Sequence, residues 1–368
     1  MSRVFERRRQ FLNLMRQYTL ERGYFQITDI AEALQVPRST AQDWVKRLIE
    51  EGCLIVRESS HGRHGGQYAA VSAVPASTCR RIFTTTDGDE VEIFHECISG
   101  ACAAFCGFHH AQSGGVISAI ERDGPLLREH GRVGEAKLGI GLYPAPAVGV
   151  GAIRREGANI LQEIISIGGP AYSLTEMIGH AEGVCEVRIR REGSLVIGEV
   201  VTRDLLHLII GIDDTDGPEG GATFALAVAL LQHLGRITGV IPIGHRIAML
   251  NPNIEQRTVG NACSYIELAV DPGLVAEVTR RCQKFVGDES RSPEWGIAVK
   301  EGFRIDPALR AYGERARTGY LSRSTAEETA AAHAISLYGR EGVIGALAAV
   351  ALAGVPTETL LDLRIPIR

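Results

Sequence analysis

The feature that most constrains the fold is an uninterrupted apolar run, Leu205-Leu206-His207-Leu208-Ile209-Ile210-Gly211-Ile212, that ends abruptly in Asp213-Asp214-Thr215-Asp216. A strand with one wet face alternates apolar and polar residues, whereas a run without alternation belongs to a strand covered on both faces. The turn Gly217-Pro218-Glu219-Gly220-Gly221 follows, and then an alanine- and leucine-rich helix from Ala222 to Leu231. The chain is therefore expected to build layers around this strand, with the carboxylates at its carboxyl end. Three carboxylates in four residues repel one another and raise one another's pKa. A divalent cation removes that cost, and hard oxygen ligands beside a phosphate are what Mg²⁺ uses. Asp213, Asp214 and Asp216 are the expected metal ligands. The glycine turn entering a helix offers backbone N–H groups at Gly220 and Gly221 to phosphates, and Thr223 places a hydroxyl in the first helical turn. A plain Asp- and Gly-rich surface turn needs only one such carboxylate, as a cap.

Composition narrows the remaining choices. Charged residues make up 23% of the 368 and apolar residues 45%, so the chain is globular rather than disordered or coiled-coil. The net charge of −5 excludes a bulk polyanion binder, but residues 1–70 carry net +3 and the rest net −8. Lys46, Lys137, Lys284 and Lys300 are the only lysines, and no GxxxxGK[ST] occurs, which removes a P-loop. The charged start, Met1 to Arg9, leads into no signal-like apolar segment. The apolar stretch Val343–Pro356 is too short to span a bilayer. Eight cysteines in a chain of this length read as reduced thiols. A cytoplasmic protein with no membrane association is expected.

In the basic head, Val4–Leu20 has helical apolar spacing. Ile27–Leu34 reads as a short helix that Thr28 can cap, and Ser39–Glu51 as a third helix capped by Ser39 or Thr40. Cys53–Arg57 and Gln67–Val71 read as strands joined by the flexible tip Ser59–Gly66. Three helices and a hairpin in this order resemble a winged helix-turn-helix. The third helix turns Arg38, Thr40, Gln42, Lys46 and Arg47 away from its apolar face, toward a major groove. Arg57 and Arg63 on the hairpin can reach phosphates. Such heads also serve as protein-docking or dimerisation modules. DNA is the more expected partner of the head, with RNA the other nucleic acid, and a second copy of the chain is a further candidate.

Between Arg80 and Arg203, after a linker at Pro75–Thr78, strand-like runs (Glu90–Phe94, Cys185–Ile189) alternate with runs read as helical (Ile160–Ile167, Leu174–Ala181). His95, Cys97, Cys102, Cys106, His109 and His110 are dense enough to hold a metal. Their spacing fits no CxxC knuckle, and the alanines among them favour a packed helix with Cys as a small hydrophobe. The glycines around Pro144 and Pro146 lack the strand–GxGxxG–helix frame and read as turns.

Gly211-Ile212-Asp213-Asp214-Thr215-Asp216-Gly217-Pro218, with Gly220 and Ala222-Thr223, resembles the opening of the catalytic domain of archaeal tRNA-Ile agmatinylcytidine synthetase. Three further blocks match in order: Leu250-Asn251-Pro252-Asn253-Ile254 with Arg257-Thr258 and Gly260-Asn261; Ser292-Pro293 with Gly296; and Gly342 to Ala349. The resemblance implies a kinase-like domain that uses ATP with Mg²⁺ on the aspartates. In that family a cytidine oxygen is phosphorylated before an amine attacks, and the threonine at the Thr223 position is itself phosphorylated. It further implies that Thr223 is a phosphate ligand or phosphoacceptor and that Arg257 stabilises the transferred group. Asn251, Asn253, Thr258 and Asn261 become nucleotide or substrate contacts. Gly217, Ala222 and Phe224 depart from the family pattern, as do Gln256 and Arg257. A looser resemblance, at Glu92–Ala101 and Gly221–Ala227, is to the methanogenesis marker protein 11 family, and implies an archaeal source.

The expected architecture is α+β and multidomain: a winged helix-turn-helix at residues 1–74, an α+β middle domain at 75–204, and a synthetase-like α/β domain binding ATP and Mg²⁺ at 205–368, the body built on a mixed sheet. The expected activity is Mg²⁺-dependent phosphoryl transfer from ATP to a substrate that includes RNA among its candidates. The other reading is a DNA-binding regulator whose body senses a nucleotide without turnover.

Overall fold

The computed structural model describes residues 3–59, 65–73, 77–167, 177–255 and 260–367. The head comprises helices α1 (Arg3–Arg22), α2 (Ile27–Ala33) and α3 (Arg38–Glu50), followed by an antiparallel hairpin of β1 (Leu54–Glu58) and β2 (Gln67–Ala70). Phe11, Met15, Ile30, Val45 and Leu48 form its core, and Phe11 stacks on Trp44 with ring centroids 5.3 Å apart. Two caps differ from expectation. Asp29 accepts the Gln26 N–H at 2.7 Å, so α2 starts behind Gln26 and not under a Thr28 cap. Helix α3 starts behind Pro37 and not at Ser39 or Thr40; a missing N–H costs nothing where no intrahelical partner exists.

The body begins with β3 (Cys79–Asp87), β4 (Glu90–Cys97), α4 (Gly100–Gln112), β5 (Ile117–Asp123), β6 (Leu126–Arg132) and β7 (Gly134–Glu135). Then come β8 (Val148–Glu156), β9 (Asn159–Ile167), β10 (Val184–Glu192) and the 19-residue β11 (Leu195–Asp213). The chain continues through α5 (Thr223–Leu234), β12 (Val240–Met249), β13 (Ala262–Val270), α6 (Val275–Glu289) and β14 (Gly296–Glu301). It ends with α7 (Pro307–Thr318), α8 (Arg323–Ala332), β15 (Ser336–Gly339), α9 (Val343–Ala351) and α10 (Thr357–Leu361). No helix among the described residues is long and apolar enough to cross a membrane.

Strand β11 organises everything else. Its first half lies antiparallel between β9 and β10, and its second half antiparallel between β13 and β14. At Asp204–Leu206 it also pairs in parallel with β3. The result is a large mixed, curled sheet in which one strand runs unbroken through residue 204. The alternation along its second half explains the apolar run. Leu208, Ile210 and Ile212 pack in one cluster with Leu230 of α5 and Val278 of α6. Ile209 packs in another with Ala346 and Val350 of α9. Both faces are covered, as the missing alternation requires.

The sequence expectation fails at Ile160–Ile167, which is strand β9 and not a helix. Four isoleucines in eight residues suit a pleated, paired surface better than a helical turn, and β9 is held on both edges, by β8 and β11. Residues 174–176 of the Leu174–Ala181 run and residues 75–76 of the Pro75–Thr78 linker lie outside the described residues. Gly149 and Gly151 lie within strand β8, not in a turn.

Candidate functional site

Four loops meet at the carboxyl end of β11. Asp213 is paired with Gly296 at the start of β14, and Gly296 with Gly339 at the end of β15. On the other edge Ile212 faces Ser264 of β13, and Met249 of β12 faces Ala262. The sheet register therefore brings segments 213–222, 250–255 with 260–261, 290–295 and 339–345 to one place. These are the four blocks that stood apart in the sequence.

Small residues allow the close approach. A Cβ at Gly211 would sit 1.9 Å from the Ala346 carbonyl oxygen, and one at Gly345 would sit 1.7 Å from Asp213 Oδ2. The first turn of α9 thus lies directly on the Asp213 carboxylate, a position only glycine leaves open. Asp214 has φ +54°, in the left-handed region, which Asp tolerates better than most residues. This kink turns the chain off the strand. The Thr215 carbonyl then accepts the Arg291 N–H at 2.8 Å and the Ser290 hydroxyl at 3.2 Å.

Each carboxylate has a different setting. Burial pushes Asp213 up to about 8, and Asp214 and Asp216 add to the rise. Burial also raises Asp214, with Asp216 and Glu294 contributing, against a hydrogen bond from Ser292. Asp216 accepts the Thr223 hydroxyl at 3.1 Å, and Thr223 Oγ1 in turn accepts from the Thr215 hydroxyl at 3.1 Å. Thr223 is 6% exposed; its hydroxyl ties the loop to the first turn of α5. The Gly220 N–H donates to Gly217 at 3.0 Å and the Gly217 N–H back to Gly220 at 3.0 Å, closing a tight turn. Helix α5 has no side-chain cap.

Among the described residues, no three His, Cys, Asp or Glu side chains gather as a preformed metal cage. Asp213 and Asp214 nonetheless have no ion pair with a described arginine or lysine, and burial, the main cause of their raised pKa values, makes each costly to ionise without a cation. That donor set fits Mg²⁺ held by one or two carboxylates, with ligand oxygens completing the shell. It does not provide a three-aspartate cage. Beside the loop, between α5 and α6, lies a cavity of about 250 Å³ lined by Thr215, Gly221, Ala222, Phe285 and Arg291.

Asn251 and Asn261 serve the β12–β13 connection. The Asn251 carboxamide accepts the Asn253 N–H at 3.0 Å, and the Asn261 side chain donates to the Asn251 carbonyl. Arg257 and Thr258, on the same connection, lie outside the described residues, as does Arg63. In the head Arg38, Gln42, Lys46, Arg47 and Arg57 are exposed and Thr40 is half-buried; Arg47 pairs with Glu51 at 3.1 Å. Ser290, Arg291 and Ser292 brace the acidic loop; of these the sequence marked only Ser292. Further off, Cys102, Cys106, His109 and His110 lie on α4, capped by Ser99, while His95 and Cys97 end β4. His110 bonds Glu129 at 2.6 Å in the core.

The family model that matches, at residues 209–280, is described as the TiaS TCKD domain. The stretch compared above with methanogenesis marker protein 11 finds no such match. Among similar proteins, an uncharacterized protein of Methanocaldococcus jannaschii, MJ0921, is 28% identical over 256 residues, covering 65% of this chain and 84% of its own. The isoleucine-tRNA agmatinylcytidine synthetase TiaS of Pyrobaculum neutrophilum is 34% identical over 152 residues, 39% of this chain and 35% of the synthetase. The TiaS of Methanosarcina acetivorans is 33% identical over 150 residues, with the same two shares. A crystal structure of TiaS in complex with isoleucine tRNA and ATP is 26% identical, with a TM-score of 0.37 and coverage of 40% of this chain and 36% of that one. The chain thus spans about a third of the length of the synthetases it matches.

Proposed function

We propose that this chain is an ATP-using, Mg²⁺-dependent phosphoryl-transfer protein that acts on RNA, with its acidic loop as the catalytic centre. The observation that carries this reading is the meeting of four separate segments around two carboxylates that have no basic partner among the described residues. A nucleotide with Mg²⁺ would supply the phosphoryl group and the cation that such carboxylates lack. Asp213 and Asp214 hold the cation. Asp216 orients Thr223, and through it the first turn of α5. The uncapped amides of that turn face phosphate oxygens, and the residues lining the neighbouring cavity exclude water from one side. Arg257 supplies positive charge to the transferred group, Asn251, Asn253, Thr258 and Asn261 contact nucleotide or substrate, and the hydrogen bonds among the three asparagines hold their part of the connection in place. Thr223 becomes a phosphoacceptor only if its bond to Asp216 opens.

The curated synthetases that share this domain act on an isoleucine tRNA by name, which favours RNA over duplex DNA as the substrate. We assign the head, as a winged-helix-like unit, to holding that nucleic acid through Arg38, Lys46, Arg47 and Arg57. The test is calorimetric titration with ATP, with and without Mg²⁺, followed by phosphate release in the presence of bulk archaeal tRNA or duplex DNA. Mg²⁺-dependent binding, weakened on the order of a hundredfold or more in Asp214→Asn, is expected, with release stimulated by tRNA. Nucleotide binding unchanged by that substitution would overturn the catalytic reading. Binding without turnover, together with salt-sensitive retention of duplex DNA, would replace it with a nucleotide-sensing regulator.

A further inference from the structure

A second cavity, of about 340 Å³, lies away from the acidic loop. Its walls come from the β5–β6 hairpin, from β12 and β13, and from the segment Gly354–Thr357. Glu267, which lines it, pairs with Ile209 on β11, four residues and so roughly 13 Å along the strand from Asp213. This volume is that of a small-molecule site.

Six charged side chains line the cavity: Arg122, Arg128 and Arg246, with Glu121, Asp123 and Glu267. Three positive and three negative groups leave the lining balanced. Near the mouth Arg246 donates to Asp123 at 2.9 Å. Deeper in, Arg128 donates to Glu267 at 2.9 Å, and its guanidinium lies over the Phe94 ring, 5.0 Å from the centroid. Glu267 is 4% exposed and is held from behind by His207, at 3.2 Å. Arg122 keeps spare capacity, since its one side-chain hydrogen bond among the described residues is a long one, 3.4 Å, to the Gly100 carbonyl. Glu121 likewise has an exposed carboxylate, shared with His130 at 3.4 Å.

We propose that this cavity binds a small zwitterion of the α-amino acid class. A ligand with a single net charge would leave one unmatched charge in a partly dehydrated, charge-balanced chamber, which is expensive. A molecule with an ammonium and a carboxylate continues the alternation already present. Its carboxylate meets guanidinium donors with bonds to spare, and its ammonium meets carboxylates. An apolar side chain has Leu126, Ile243 and Val355 among the lining residues.

The test is calorimetry on the full chain without nucleotide, so that its outcome is independent of the phosphoryl-transfer reading. The probes are the natural L-α-amino acids one at a time, each beside its decarboxylated amine and its deaminated acid. At least one amino acid is expected to bind, with its amine and acid analogues weaker by about tenfold or more. Arg122→Ala and Arg246→Ala, neither in a hydrophobic core cluster, are expected to weaken it by about tenfold or more with melting unchanged. No binding by any amino acid, equal binding of an amine or acid analogue, or wild-type affinity in both variants would each overturn the proposal.

Discussion

Gly345 and Gly260 both belong to the motif blocks that converge on the acidic loop, yet the physics at the two positions is opposite. A Cβ at Gly345 would lie 1.7 Å from Asp213 Oδ2, whereas one at Gly260 meets nothing within 4 Å, and neither residue has a positive φ. Gly345→Ala must therefore push the carboxylate or the first turn of α9 aside. It is expected to lower stability by about 1–3 kcal/mol, as overpacking does, and to weaken Mg²⁺-nucleotide binding. Gly260→Ala is expected to stay within about 0.5 kcal/mol of the parent. Urea unfolding and ATP calorimetry on the two variants decide the matter: equal effects would mean that the contact over Asp213 is not what the glycine provides. The motif told which residue types were present but not which glycine was sterically required. That depends on a helix about 130 residues further along the chain than the acidic loop, and no local pattern encodes it.

At the level of the element, β9 and β11 show what a pattern can and cannot carry. The apolar run of β11 was legible because covering on both faces leaves a mark within eight residues, and its carboxylate terminus located the site. The isoleucines of β9 were ambiguous, since periodicity alone does not separate a short buried strand from a buried helix. The partners decided it, and those lie in β8 and β11. Pairing β9 with β11 also sets Glu163 directly opposite Glu199, and like charges in register destabilise a sheet. Arginines from the neighbouring strands neutralise the pair: Arg190 lies 3.3 Å from Glu163 and 3.6 Å from Glu199, and Arg154 lies 3.9 Å from each. Because the arginines are partly exposed, each contact alone is worth little. Arg190→Ala is accordingly expected to cost about 1 kcal/mol, and Glu163→Gln to relieve most of that loss. A double-mutant cycle by urea unfolding in which the two changes add would show that Arg190 does not act on the carboxylates.

Over the whole molecule, the buried titratable groups set how stability follows pH. Burial alone would strip the proton from His207, but hydrogen bonds with Glu267 and Glu92 outweigh it and raise its pKa above the ordinary histidine value. Glu129 does the same for buried His110, and Glu121 with Glu92 for His130. A histidine raised in the fold contributes stability that is complete below its unfolded pKa, about 6.5, and is lost as pH climbs through the folded value. Asp213, pushed up to about 8 chiefly by burial, acts in the same sense: the folded chain holds a proton that the unfolded chain has already released. Buried His95 acts the other way, its pKa lowered chiefly by burial, but its contribution falls below about pH 6.5, where the unfolded histidine gains a proton. Above that point the raised groups and Asp213 pull together. Stability is therefore expected to decline between about pH 6.5 and 8.5, each proton contributing at most about 1.4 kcal/mol per pH unit. Asp213→Asn should flatten the decline, and saturating Mg²⁺-ATP should flatten it too, because a cation on the loop favours the ionised carboxylate. Urea midpoints across that range test both. A profile that rises, or one whose slope neither the substitution nor the nucleotide alters, would detach Asp213 from the cation and leave the histidine–glutamate pairs as the source of the pH response.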